Sequence, residues 1–292
     1  MRQYLKYANH ISFNSFSQWN RFKKMVLSSK RKISCGIRVN PEHQEGEFAM
    51  YDPAAPMSHF GVTIKNFEAD NLGGVEGLHF HTLCESSADA LGRTLEVFEQ
   101  KFGKYLSKMK WVNFGGGHHI TRDGYDLELL YKIIAAFKKR YPHLTVYLEP
   151  GEAVALNVGV LVSTVVDTFT NKVDIAVMDS SAKCHMPDVL EVPYVPAILG
   201  AKRISVYKAG DKNVHKLSGS TCLTGDVIGY YSFPKKLKVG DKLVLLHMAI
   251  YTMVQNNTFN GVSLPSIAMM DKQGNIKVIK RFGYEDYKQR LG

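Results

Sequence analysis

Near residue 155 this chain changes texture, and that change limits the folds open to it more than any other feature. Before it, short apolar runs alternate with longer stretches in which apolar residues recur every three or four positions, the mark of βα units. The runs at 10–15, 33–40, 74–83, 111–117 and 145–151 read as strands, each closing on polar residues, glycine or proline. Between the third and fourth, Leu91, Leu95, Phe98, Phe102 and Leu106 define one face of a helix that the preceding serines can cap. Between the fourth and fifth, Leu130, Ile133, Ile134, Phe137 and Tyr141 do the same behind Asp126. Both stripes predict core.

Beyond the change, "NVGVLVSTVVDTF", "VDIAVMDSS", "KRISVYKAG", "DVIGYYSF" and "KLVLLHMAIYTM" read as strands, separated by the turn signals "KAGDKN", "KVGD" and "DKQGN". The expected architecture is α/β followed by all-β, with consecutive βα units forming a parallel (β/α) barrel over 1–154 and a β-rich domain over 155–292. A barrel needs about eight strands and five are legible. At roughly 30 residues per unit, something like 90 residues are expected to be missing from the start.

The net charge of +10 suggests anionic ligands, but the lysines form dispersed clusters such as "FKKR" and "FPKKLK". No aromatic and basic signature of an RNA-binding surface accompanies them, so no nucleic-acid partner is expected. No apolar run reaches membrane-spanning length, and the opening "MRQYLKYANH" lacks a signal-peptide core, so the expected location is cytoplasmic, away from any membrane. Cys35, Cys84, Cys184 and Cys222 form no CxxC pair, which argues against a structural zinc site or a disulfide framework.

Barrels place functional residues at the carboxyl ends of their strands. Those ends carry Asn14, Arg38, His81, Gly115 to Gly117 and Glu149. Gly115, Gly116 and Gly117 leave backbone N–H groups bare to an anionic group, and they follow the penultimate strand, where barrels often bind phosphate; a plain turn is the alternative. Glu149 can pair with a protonated ring nitrogen, act as a base, bind an amine, or merely cap a helix. His79 and His81 lie on the same side of one strand. With His118, His119 and His185 they could form a metal-dependent hydrolase site, or one of the two could stack on a flat cofactor while the other fills a barrel layer. Cys222 precedes Asp226 by four residues in a glycine-bounded loop, where a thiol can donate a proton and a carboxylate can hold a cationic amine.

Seven ordered stretches, "FNSFSQW", "GLHFHTLCE", "NFGGGHHIT", "LEPGEAV", "CHMPDVLE", "TCLTGDVIG" and "YTMVQNNTFNG", run from Phe13 to Gly261. Together they resemble the fold type III pyridoxal-phosphate decarboxylases, the group of alanine racemase, ornithine decarboxylase and diaminopimelate decarboxylase, and within it the carboxynorspermidine/carboxyspermidine branch of polyamine biosynthesis. The resemblance implies a barrel that binds pyridoxal 5'-phosphate, a β-sandwich-like second domain, no metal, a carboxylated polyamine as substrate, and a homodimer with shared active sites. It implies that His81 stacks on the cofactor ring, that Gly115, Gly116 and Gly117 hold its phosphate, and that Glu149 keeps its pyridine nitrogen protonated. It implies further that Cys222 is the proton donor across the dimer interface and that Tyr251 closes over the phosphate. Asp226 is implied near the substrate's distal amines, and His118 and Asp188 in looser substrate contact. The chain departs from the family's pattern at Val195, where an arginine is usual, and near His247 and Ile250.

The family's Schiff-base lysine ends the first barrel strand, and none of the five strand ends here carries a lysine. The chain therefore reads as the carboxyl-terminal three quarters of such a decarboxylase. A non-catalytic homologue that dimerises with an intact enzyme is the alternative.

Overall fold

The structure, a computed structural model, describes residues 1–46, 49–191, 194–208 and 211–292. It divides into two compact units, Met1–Val154 and Ala155–Gly292.

In the first unit, strands β1 (His10–Phe13), β2 (Ser34–Arg38), β3 (Val75–His79), β4 (Trp111–Asn113) and β5 (Thr145–Tyr147) form one parallel sheet in chain order. Right-handed crossovers that never reverse direction send every connection to the same face, which produces an arc of a barrel and not a doubly wound sheet. The connecting helices include α2 (Phe16–Leu27), α3 (Ala88–Phe102) and α4 (Leu127–Arg140), with a single turn, α1 (Tyr4–Tyr7), ahead of β1.

Alternation along the strands separates two faces. The row Phe13, Ile37, Leu78 and Val112 is in register across the sheet and joins the core that takes in Leu91, Leu95, Phe98, Phe102, Leu106, Leu130 and Phe137. Ile133, Ile134 and Tyr141 pack against it while partly exposed. Ser15 starts α2 by accepting from the Gln18 N–H at 3.2 Å, and Asp126 starts α4 by accepting from the Leu129 N–H at 2.8 Å; caps of this kind contribute about 1 kcal/mol each.

The opposite face carries Gly36, Gly77 and Trp111 in one row. The Trp111 indole lies across both glycines, so that a Cβ on Gly77 would fall inside its ring atoms, and its Nε1 donates to Ser34 Oγ at 2.8 Å. Gly77→Ala is therefore expected to lower unfolding stability by about 1–3 kcal/mol through overpacking, read as a shift of the urea midpoint at unchanged slope.

The strands stop earlier than their apolar patterns suggest. β4 ends at Asn113 because Gly115 and Gly117 turn into the left-handed region, with φ of 74° and 79°. The β2–β3 connection also departs from a βα unit: among the described residues it contains only the 3₁₀ turns Ala49–Tyr51, Ile64–Asn66 and Ala69–Asn71. Ser87 occupies the N-cap of α3, but its hydroxyl turns to the Asp89 carboxylate and caps no helix N–H.

The short helix α5 (Gly151–Ala155) leads into the second unit. There β6 (Leu161–Asn171), β7 (Val173–Met178), β8 (Lys202–Arg203), β9 (Val214–Ser218), β10 (Val227–Ser232) and β11 (Lys242–Leu245) form a mixed sheet in the order β11-β6-β7-β9-β10-β8. All its pairings are antiparallel except β7 with β9. Val165, Ala176, Met178, Leu217, Ile228, Tyr231 and Leu245 supply its core. A separate hairpin, β12 (Ile267–Met270) and β13 (Ile276–Lys280), brackets the "DKQGN" turn and precedes the helix α9 (Tyr284–Leu291).

Two long strand readings shrink. "KRISVYKAG" keeps only β8, and its Ala209 and Gly210 lie outside the described residues. "KLVLLHMAIYTM" ends as a strand at Leu245, since His247 adopts φ 62° and Tyr251 opens the helical turn α8 (Tyr251–Val254). β9 was hidden behind the turn signal that precedes it.

Candidate active site

One residue row beyond Trp111, the inner face becomes polar. Arg38, His79, Asn113 and Tyr147 are in register across β2 to β5, at the carboxyl edge of the sheet. His81 and Glu149 each stand two residues further along their strands' line. They converge: the two carboxylate oxygens of Glu149 face the Asn113 amide, which donates at 2.7 Å, and the imidazoles of His79 at 3.7 Å and His81 at 3.8 Å. Behind them Ser12 Oγ meets His79 Nδ1 at 3.0 Å, and Arg38 donates to the His81 carbonyl at 3.2 Å.

This surround sets the charge of the carboxylate. His81, then His79 and the Asn113 amide, hold Glu149 well below the usual carboxylate range, at about 2, against the opposing effect of burial. Burial pushes His79 the other way, down to about 4, so it is neutral beside an ionised partner. Glu149 keeps 46% of its side chain exposed and His81 keeps 33%, which leaves both accessible to a ligand.

The glycines of "NFGGGHHIT" close the same edge. Gly115 N–H donates to Asn113 Oδ1 at 2.9 Å and Gly116 N–H to His81 Nδ1 at 3.2 Å, while Glu149 N–H donates to the Gly115 carbonyl at 2.8 Å. A Cβ on Gly116 would come within 2.6 Å of the Glu149 carbonyl, and one on Gly117 would collide with the Leu83 carbonyl. The three loops after β3, β4 and β5 can approach this closely only over bare backbone.

His118 is drawn inside. It is 1% exposed, and burial pushes its imidazole down to about 4. His119 is also buried, and among the described residues no set of metal-capable atoms gathers the five histidines of the hydrolase reading. His79, His81 and Glu149 do form a set of metal-capable atoms, and Glu85, His119 and Glu152 form another.

In the second unit the remaining candidates share one loop cluster. Asp226 is 2% exposed, and its carboxylate accepts from Ser181 Oγ at 2.8 Å, Thr221 Oγ1 at 2.7 Å and the Lys183 N–H at 3.1 Å. That carboxylate is turned inward and ties the Cys222 loop to α6 (Ala182–His185). Cys222 itself is exposed, with its N–H held by Asn260 Oδ1 at 2.9 Å. Asp188, which opens α7 (Asp188–Glu191), accepts from Tyr194 at 2.7 Å and from Thr252 at 3.1 Å, beside the 59% exposed Tyr251.

Residues 25–249 match the family model described as pyridoxal-dependent decarboxylase, C-terminal sheet domain. The chain belongs to the pyridoxal-dependent decarboxylases. It is similar to the carboxynorspermidine/carboxyspermidine decarboxylase of Campylobacter jejuni, with 45% identity over 97% of this chain and 75% of that one. It is also similar to the carboxyaminopropylagmatine decarboxylase of Synechocystis, with 41% identity over 98% of this chain and 72% of that one. The crystal structure of the Campylobacter jejuni carboxynorspermidine decarboxylase complexed with norspermidine superposes with a TM-score of 0.87 at 44% identity, covering 99% of this chain and 76% of that one.

Membership in this decarboxylase family makes pyridoxal phosphate the cofactor the site must accommodate, and the residues fit it. An ionised, half-exposed carboxylate suits a protonated pyridine nitrogen, the buried His79 Nε2 is left without a hydrogen-bond partner, and bare glycine backbone suits a phosphate.

Sequence reasoning missed Asn113 and Ser12 as supports. Period-two alternation could have placed Asn113 on the face of Trp111, but only the register shows that it meets Glu149.

Proposed function

We propose that this chain decarboxylates a carboxylated polyamine, carboxynorspermidine or carboxyspermidine, in polyamine biosynthesis with pyridoxal phosphate as cofactor. The observation that carries this reading is the ionised Glu149 between His81 and the glycine run, in a chain whose near relatives act on carboxylated polyamines. When bound, the cofactor supplies a protonated ring that accepts the electron pair left by departing CO₂.

The chain's own residues have separable tasks. Glu149 would keep the ring nitrogen protonated, with Asn113 and His79 beside its carboxylate, and His81 would lie against the ring. Gly115 to Gly117 would give the phosphate bare backbone to approach, and Tyr251 would close over it. Cys222, exposed in its loop, would deliver a proton across the dimer interface to the carbon that has lost CO₂. Asp188 holds a distal ammonium group of the substrate, with Asp226 shaping the loop that carries Cys222. His118 acts from inside, as packing beneath the glycine run.

The chain works as a homodimer in the cytoplasm. The exposed Met269, Met270, Ile276 and Ile279 of the β12–β13 hairpin offer apolar surface for a partner. No helix among the described residues is long and apolar enough to cross a membrane.

The absence of a lysine at the five strand ends favours a second reading, in which the chain pairs with an intact decarboxylase. One assay separates them. The purified chain with pyridoxal phosphate is expected to release CO₂ from carboxynorspermidine or carboxyspermidine and not from diaminopimelate. Release only after mixing with an intact relative would favour the pairing reading, and release from diaminopimelate alone would overturn the substrate assignment.

A further inference from the structure

Next to the glycine run lies a second group of ionisable side chains that the proposed reaction does not use. Glu85, on the loop after β3, His119, on the loop after β4, and Glu152, in α5, bring their polar atoms within 4.8 Å of one another. Arg122 joins them, with Nη1 at 2.9 Å from His119 Nδ1 and at 3.8 Å from Glu85. A guanidinium only donates, so Nδ1 of His119 is the acceptor and its proton sits on Nε2. Nε2 faces Glu152 Oε2 at 3.0 Å, with side-chain exposures of 6% and 12%. His119 thus brings the loop after β4 against α5. Glu85 adds the loop after β3, its carboxyl pushed up by burial and then by the charge of Glu152.

Backbone contacts follow the same path. Ser86 N–H donates to the Gly117 carbonyl at 2.8 Å, His119 N–H to the Ser86 carbonyl at 3.4 Å, and Thr121 Oγ1 to the Ala153 carbonyl at 2.6 Å. The near end of the glycine run is fixed by Asn113 and Glu149. Its far end has the His119–Glu152 contact as its buried side-chain support.

We propose that His119 and Glu152 are positioning residues that hold the far end of the Gly115–Gly117 run, and so set the preference of this chain for a phosphate-bearing ligand over its phosphate-free counterpart. The inference rests on the reading of that run as the phosphate cradle. Backbone donors select an anion only when their directions are fixed before it arrives.

The test is equilibrium dialysis of the full chain against pyridoxal phosphate and, separately, pyridoxal. Wild type is expected to favour pyridoxal phosphate. Glu152→Ala is expected to weaken pyridoxal phosphate about tenfold and leave pyridoxal unchanged, as removal of a supporting contact does. Glu152→Gln, which keeps an oxygen beside Nε2 and the shape of the side chain, is expected to restore most of the preference. His119→Asn serves as the second variant should Glu152→Ala not fold, and is expected to behave like it. Equal losses for both ligands, or no loss for either, would overturn the positioning role while leaving the cradle in place. A wild-type chain that binds both ligands alike would overturn the cradle itself, and the positioning role with it.

Discussion

Glu149→Gln is expected to reduce the rate of CO₂ release by about 10²–10³-fold, the scale of losing one preorganised electrostatic group at a reacting centre. The substitution preserves size and the hydrogen bond from Asn113 but removes the negative charge. A second readout isolates the cause: the ring nitrogen of bound pyridoxal phosphate, followed by absorbance against pH, is expected to lose its proton at lower pH in the variant than in wild type. A variant with the rate loss and an unmoved nitrogen titration would assign Glu149 some other task. The direction of its own shift adds a constraint. With the carboxyl held at about 2, Glu149 stays ionised throughout the mildly acidic range, so the acid limb of the rate profile belongs to another group.

The folded chain is expected to lose several kcal/mol of stability between pH 6.5 and pH 4. Burial lowers the pKa of His79 and His118 from 6.5 to about 4, and lowers those of His185 and His215. A histidine whose folded pKa is depressed stabilises the fold fully above its unfolded value, and that contribution is lost as pH falls toward the folded value. The interval from 6.5 to about 4 corresponds to about 3 kcal/mol for each of His79 and His118. Geometry gives the same sign for the second unit. His185 Nδ1 accepts from the Ser181 N–H at 3.1 Å and His215 Nε2 from the Leu237 N–H at 3.3 Å, and protonation would set donor against donor at both. Urea unfolding at stepped pH checks this. His118→Gln should show a shallower slope over the interval, and a wild-type stability flat from 6.5 to 4 would contradict it.

The parts of the fold legible in the sequence are those written by periodicity. Leu91, Leu95, Phe98 and Phe102 recur at helical spacing and are buried within 3% exposure, because one core face selects them all. Strand ends were overread because apolar residues continue past the last ladder bond: Phe80 and Phe114 are fully buried in the loops beyond β3 and β4. The connection after β2 carries no helical stripe, and counting it as a βα unit extended a regularity from its neighbours. In the candidate site, His81, Glu149 and the glycines were readable because each sits at a strand end. The Asn113 and His119–Glu152 contacts were not, since each joins residues more than 30 positions apart whose meeting depends on the register of β4 and β5. The inward turn of Asp226 was equally invisible, because its partners Ser181 and Lys183 lie 45 and 43 positions away in the chain.

Trp111, laid over its two glycines, and Trp19 are the chain's two tryptophans, and both belong to the first unit. Indole emission is therefore blind to the second unit. A fluorescence-detected melt follows the parallel sheet alone, whereas far-ultraviolet circular dichroism follows both sheets. Coincidence or separation of the two curves shows directly whether the halves of this decarboxylase lose their structure as one cooperative body or in turn.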